Sequence, residues 1–159
     1  MKIHKVEEFE LCLDIHTEEI SQRISRRATI VTPIHVRIGP CCYPTDNWDD
    51  FSVVILSWWC EQLHFLRDGL TSCAELLFMD GPYRLHISPT TAENICRVRK
   101  FVEGKGYQTN EHTCDLRQIE EQIYLASSRL LALLQRLDYW DKDCDNLAKA
   151  LILLKKEKE

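Results

Sequence analysis

TDNWDDFSVVILSWWCEQLHFLRDG, residues 45–69, is the stretch whose reading decides the fold. Asp46 or Asn47 can cap the first amides of a helix, and Asp49 and Asp50 fall in its first turn, where negative charge is favoured. Arg67 sits in the last turn, and Gly69 supplies a C-terminal stop. Neither Pro nor Gly interrupts the run between them. The expectation is a central helix over 46–69, roughly 33 Å long at about 1.5 Å per residue. Asp50, Ser57, Glu61, His64 and Asp68 recur at helical spacing as one narrow polar stripe, which on such a helix is usually its solvent edge. Phe51, Val54, Ile55, Trp58, Trp59, Leu63, Phe65 and Leu66 fill the remaining circumference. A helix apolar on so many sides is covered on more than one of them, so the rest of the chain must wrap it.

Before this helix, Phe9 to His16 alternates apolar and polar residues and predicts a half-buried strand. Residues 17–27 fit a short helix or an irregular loop. Thr29 to Ile38 is β-branched and predicts a second strand, with Pro33 marking an edge or a bulge. GPCCYPTDN, residues 39–47, reads as a turn-rich entry to the helix. After the helix, Ala74 to Met79 and Pro82 to Ser88 flank Asp80-Gly81, a strong hairpin signal because the tight turn needs positive φ. Pro82 has the potential to shift the register. Ile95 to Val102 fits a strand or a helix, and the Gly104-Lys105-Gly106 turn before Tyr107 to Thr113 favours two strands. Asp115 opens a long helix with Gln118 at the capping-box position. Leu116, Ile119, Ile123, Ala126, Leu130, Leu133 and Leu137 form its apolar seam. A last helix spans 143–156, and the KKEKE tail is expected to fray. The expected fold is a single α+β domain over 1–159. An antiparallel or mixed sheet packs on the central helix: strands in 1–45, a hairpin and further strands in 74–114, and a helical hairpin over 115–157.

The net charge of −5 argues against a dedicated nucleic-acid binder. The deficit is local: residues 46–88 carry 7 acidic and 2 basic side chains, while the other segments nearly balance. An acidic face suits a basic partner; the plainer reading is an ordinary solvated face. The start MKIHKVEEFEL has no apolar signal core, and no run reaches the ~18 residues of a membrane span, so the expected compartment is cytoplasmic. The eight Cys lie mostly in apolar periodic segments, which favours free thiols over disulfides.

Cys60 and His64, four apart on the helix, are the weak candidates for a metal pair or a thiolate–imidazole pair. No CxxC or HxxxH accompanies them, so neither a metal nor another cofactor is expected. Asp141, Asp143, Asp145 and Asn146 imitate half of a calcium loop, but its twelfth position is Ile152, where a bidentate acid is needed. Caps and first-turn acids explain that run. Arg23, Arg26 and Arg27, and then Arg97, Arg99 and Lys100, are short basic clusters without a nucleic-acid signature, and no phosphate loop occurs.

W-x-D-F before an apolar helix with W-W, then ELLFMDGPYRL, is a recognisable combination: Trp48, Asp50, Phe51, Trp58, Trp59 and Glu75 to Leu85. Over residues 48–88 the chain resembles small bacterial α+β proteins of the toxin-immunity type. The resemblance implies stoichiometric inhibition of a toxin and carries over no catalytic residue. The functional expectation is a non-enzymatic protein-binding domain. It would present Asp49, Asp50, Glu61, His64, Asp68, Glu75 and Asp80, with Asp46, to a basic protein partner, without nucleic acid or membrane. Two alternatives stand beside it: a small metal- or thiol-dependent enzyme using Cys60 and His64, and a structural subunit or homodimer assembling through the 116–156 helices.

Overall fold

The structure, a computed structural model, describes residues 5–156. The chain runs β1 (Phe9–Leu13), α1 (Thr17–Ser25), β2 (Thr32–Ile38), β3 (Cys41–Tyr43), β4 (Asp49–Asp50), α2 (Ser52–Arg67), β5 (Ala74–Leu77), β6 (Tyr83–Pro89), β7 (Ile95–Val102), β8 (Gly106–Asp115), α3 (Leu116–Arg136) and α4 (Lys142–Lys156). This is an α+β fold with a C-terminal helical hairpin, as expected. One antiparallel sheet has the order β1-β2-β3, with β4 also on β2; the other is the meander β5-β6-β7-β8. A parallel bridge, Glu7 to Cys114, links them, with the Glu7 amide donating to the Thr113 carbonyl at 2.7 Å. The buried hydrophobic side chains, Val102 aside, form one core cluster.

α2 starts later than the sequence suggests, at Ser52 rather than near Asp46. Its 16 residues span about 24 Å. Asp46 and Asn47 form a turn, and Asp49 and Asp50 form β4 on Pro33 and Thr32. Asp50 accepts from the Phe51 amide at 2.7 Å, but no acid occupies the first helical turn. The local capping rule loses here because the Asp50 carboxylate also has long-range donors. The other end follows expectation: Gly69 takes φ +73 and the Leu70 amide returns to the Phe65 carbonyl. Part of the polar stripe is interior: Asp50 and Ser57 are buried and His64 is half-buried, while Glu61 and Asp68 are exposed.

The other departures also involve distant partners. Residues 39–47 contain a strand, β3, which turns back on β2 through Gly39 at φ +56 and Pro40. The ambiguous 17–27 stretch is helical over Thr17–Ser25, with Glu18 and Glu19 in its first turn and Ile20 buried. Residues 95–102 form a strand. The β5–β6 pairing is symmetric about the Asp80–Gly81 bond, so Pro82 does not shift the register. Asp115 caps α3 by accepting from the Arg117 amide at 2.8 Å. Gln118 does not complete a capping box; its Oε1 accepts from the Phe9 amide at 2.8 Å. Asp141 caps α4 through the Cys144 amide, which gives the acidic run at 141–146 its structural role. The α3 seam is buried in the domain's own core from Ile119 to Leu133, so a dimer using it would have to expose that core. Residues 157–159 of the expected fraying tail lie outside the described residues; Lys155 and Lys156 are helical.

α2 is tied to α3 by an ion pair. Arg67 Nε donates to Glu120 Oε1 at 3.1 Å, and its Nη2 donates to Glu120 Oε2. The Glu120 side chain is fully buried. Removing one partner of a buried pair strands the other charge, so Arg67→Met is expected to lower stability by about 3–5 kcal/mol. Adding Glu120→Leu should restore most of the loss, because two apolar side chains need no partner. Urea unfolding of the two variants beside the parent measures both effects.

Candidate functional site

The two halves of the W-x-D-F…MDGPY pattern meet in space. Asp50 is 1% exposed. Its carboxylate accepts from the Trp48 indole at 3.0 Å, from the Phe51 amide, and from the Asp80 amide at 3.1 Å. The Trp48 ring stands edge-on to Tyr83 with centroids 5.3 Å apart. Gly81 takes φ +89, and a Cβ there would lie 3.0 Å from the Trp48 ring. A buried anion and an indole thus clamp the β5–β6 turn, leaving Leu77, Met79 and Asp80 exposed. Asp49 is the exposed neighbour of Asp50, and Asp46 is exposed in the preceding turn.

The expected contact residues therefore divide. Asp80 lies on the clamped tip, Asp50 is its buried support and cannot be a contact residue, and Asp49 is exposed beside Asp50 on β4. Glu61, His64 and Asp68 form a second group on α2, with His64 Nε2 3.5 Å from Asp68 Oδ2. Glu75 belongs to neither group. Its Oε1 lies 2.7 Å from His86 Nδ1, and its Oε2 lies 3.5 Å from Arg84 Nε.

Cys60 and His64 are not gathered. Cys60 is fully buried with Sγ 4.0 Å from Ser127 Oγ, and burial pushes its thiol up to about 12 against the Ser127 contact. That thiol stays protonated at neutral pH and is a poor ligand or nucleophile. Among the described residues a different trio gathers: Cys73, Glu75 and His86, half-buried, with ligand atoms all within 4.8 Å of one another. Glu75 and His86 lie on the sheet face opposite to buried Ala74, Leu76, Leu85 and Ile87, and Cys73 directly precedes β5. On the same face Arg84 stacks over Phe101 and Arg99 over Tyr107, each at 4.0 Å. Tyr107 also stands edge-on to His86, with centroids 5.5 Å apart. The sequence held a signal for this trio. A hairpin centred on Asp80–Gly81 places Glu75 opposite His86, and Cys73 stands two residues before Glu75, at the strand's start.

A third polar group joins the sheets. The Tyr43 hydroxyl lies 2.8 Å from His112 Nε2, and His112 Nδ1 lies 3.1 Å from the Glu7 carboxylate. The neutral tautomer protonated on Nδ1 satisfies both contacts, with Tyr43 donating to Nε2 and Nδ1 donating to Glu7. Burial, then Cys41, pushes the Tyr43 phenol up to about 12. It is therefore a donor at neutral pH and not a nucleophile. An open cleft of about 680 Å³ beside this group is lined by Lys5, Glu7, Glu8 and Glu111 among others.

No protein-family model, curated protein or solved structure matches the chain. Among the described residues, no helix is long and apolar enough to cross a membrane.

The cysteines separate by environment. Cys12, Cys41, Cys42 and Cys73 are half-buried; Cys60, Cys96, Cys114 and Cys144 are buried. A chromogenic disulfide reagent should titrate the first four rapidly in the native protein and the second four only on unfolding. Cys60, Cys96 and Cys114 hold their protons to about pH 12, against an ordinary 9.0, because burial disfavours the thiolate. Their contribution is present in full below pH 9. It is lost as pH rises towards 12, by up to about 1.4 kcal/mol per pH unit per thiol. Denaturant midpoints measured from pH 8 to 11 should fall accordingly, and less steeply in Cys60→Ala.

Proposed function

We propose that this chain is a non-enzymatic binding domain that blocks a basic protein partner stoichiometrically, in the manner of a cytoplasmic toxin-immunity protein. The contact centre is the clamped tip that carries Met79 and Asp80, with exposed Asp49 next in sequence to its buried support. The observation that carries this reading is the Asp50 carboxylate, which is withdrawn from solvent to bind both Trp48 and the Asp80 amide. A buried anion is costly unless fully hydrogen-bonded, and here its bonds hold an exposed turn still. A loop fixed in advance loses little conformational freedom on binding, which leaves more of the contact energy as affinity. An exposed methionine beside the exposed Asp80 offers a polarizable apolar contact with an acidic rim, and that suits a basic surface. Glu61 and Asp68 on α2 add to the long-range field.

Capture of the tagged chain from its native host should yield one basic protein at equal stoichiometry. Reversing the tip charges, Asp49→Lys with Asp80→Lys, should slow association by roughly 10- to 100-fold at low salt, with a smaller effect at high salt. Glu61→Lys with Asp68→Lys makes the same net change elsewhere and should cost severalfold less. If the two double variants weaken binding equally, the tip is not the contact centre; if no protein co-purifies at stoichiometry, the inhibitor reading fails.

A further inference from the structure

We infer that Cys73, Glu75 and His86 form a three-ligand site for a divalent transition metal, zinc foremost, on the open face of the β5–β6 hairpin. This site is separate from the clamped tip. The placement follows from the hairpin: His86 is the direct cross-strand neighbour of Glu75, and Cys73 immediately precedes β5, two residues before Glu75. The three ligand atoms lie within 4.8 Å of one another. Bonds of about 2.0–2.3 Å in a tetrahedral arrangement put such atoms roughly 3.3–3.6 Å apart. The Glu75–His86 pair, at 2.7 Å, has only to open slightly and the thiol to swing in. The strand ladder holds the Glu75 and His86 backbones, and Cys73 is the residue directly before it.

The surroundings suit this role. Glu75 Oε2 and Arg84 Nε are both buried without a hydrogen bond, although they face each other at 3.5 Å. Buried polar atoms are rarely left so. A metal drawn to Glu75 would leave Arg84 to orient the carboxylate, as outer hydrogen-bonding groups do at metal sites. The Tyr107 ring against His86 limits imidazole motion. A thiolate and a carboxylate neutralise a divalent ion, and a thiolate–imidazole–carboxylate set selects zinc-like metals over magnesium or calcium. Three protein ligands leave a fourth position for water or a group from elsewhere. Binding forms three metal–ligand bonds and releases the Cys73 thiol proton to solvent.

The test is titration of the full, reduced chain with cobalt(II), followed by zinc. The expected result is one equivalent bound with a thiolate-to-cobalt charge-transfer band, which one equivalent of zinc then removes. Cys73→Ser should abolish the band, while Cys60→Ser and Cys42→Ser should keep it. Glu75→Gln and His86→Ala should each weaken binding by about 10- to 100-fold. Unchanged circular dichroism of the metal-free variants separates ligand loss from misfolding. No charge-transfer band at millimolar cobalt, a band that survives Cys73→Ser, or binding indifferent to His86→Ala would each overturn the inference. All of these readings use the isolated chain, so they stand or fall independently of any protein partner.

Discussion

The fold depends on how two strand edges are closed beneath helices. β5 is the outer strand of its sheet, and α2 lies against it, so the edge groups of β5 lose water. The side chains of α2 replace that water: Gln62 accepts from the Glu75 amide at 3.0 Å, and the fully buried Trp59 donates its indole N–H to the Leu77 carbonyl at 2.8 Å. β1 has the same problem where it parts from β8, and α3 solves it in the same way. Gln118 and Gln122 accept from the Phe9 and Leu11 amides. Each such group left unpaired would cost about 1–3 kcal/mol. These four side chains therefore do more than fill space. They fix how far each helix slides along its strand, and the Arg67–Glu120 pair then fixes α2 against α3.

This explains which features were legible in the sequence. Periodicity and turn chemistry are local, so the Asp80–Gly81 hairpin, the α3 seam and the Gly69 stop could be read directly. Hydrogen bonds between distant residues are not local. Asp49 and Asp50 satisfy every rule for a helix start, yet Asp50 serves Trp48 and Asp80, and α2 begins later. Gln118 stands where a capping box needs it, yet its amide turns to Phe9. β3 and β4 are too short to show a period at all, and only their pairing with β2 defines them. For Asp50 and Gln118 a local capping preference of about 1 kcal/mol yields to a hydrogen bond from a backbone amide distant in sequence.

The candidate sites follow the same division. Spacing alone drew attention to Cys60 and His64, because four residues make one helical turn. On a helix buried on several sides, however, sharing a turn does not mean sharing a solvent-facing surface, and Cys60 points to Ser127. Cys73, Glu75 and His86 span 14 positions without a motif, yet the hairpin register brings them together. Regular strand pairing was the better guide to proximity, because one central turn fixes every cross-strand neighbour at once.

The β5–β6 hairpin carries both proposed activities at different distances along the same two strands. From Asp80 to Glu75 is five residues, roughly 16 Å of extended chain. Trp48 and Asp50 hold the tip end, while the other end is held by the strand ladder and by the contacts of Glu75 with His86 and Arg84. A metal bridging Cys73 and Glu75 to His86 would cross-link the edge strand to its neighbour and further restrain the hairpin from that end. The effect at the tip would be a loss of motion without a change of shape, since the register is already set by Asp80–Gly81. Coupling of that kind acts through entropy: restraint at one end lowers the ordering cost of binding at the other. It is limited by what motion the Asp50 clamp leaves at the turn, and with the Asp80 amide, the Trp48 indole and Gly81 already engaged, that remainder is small.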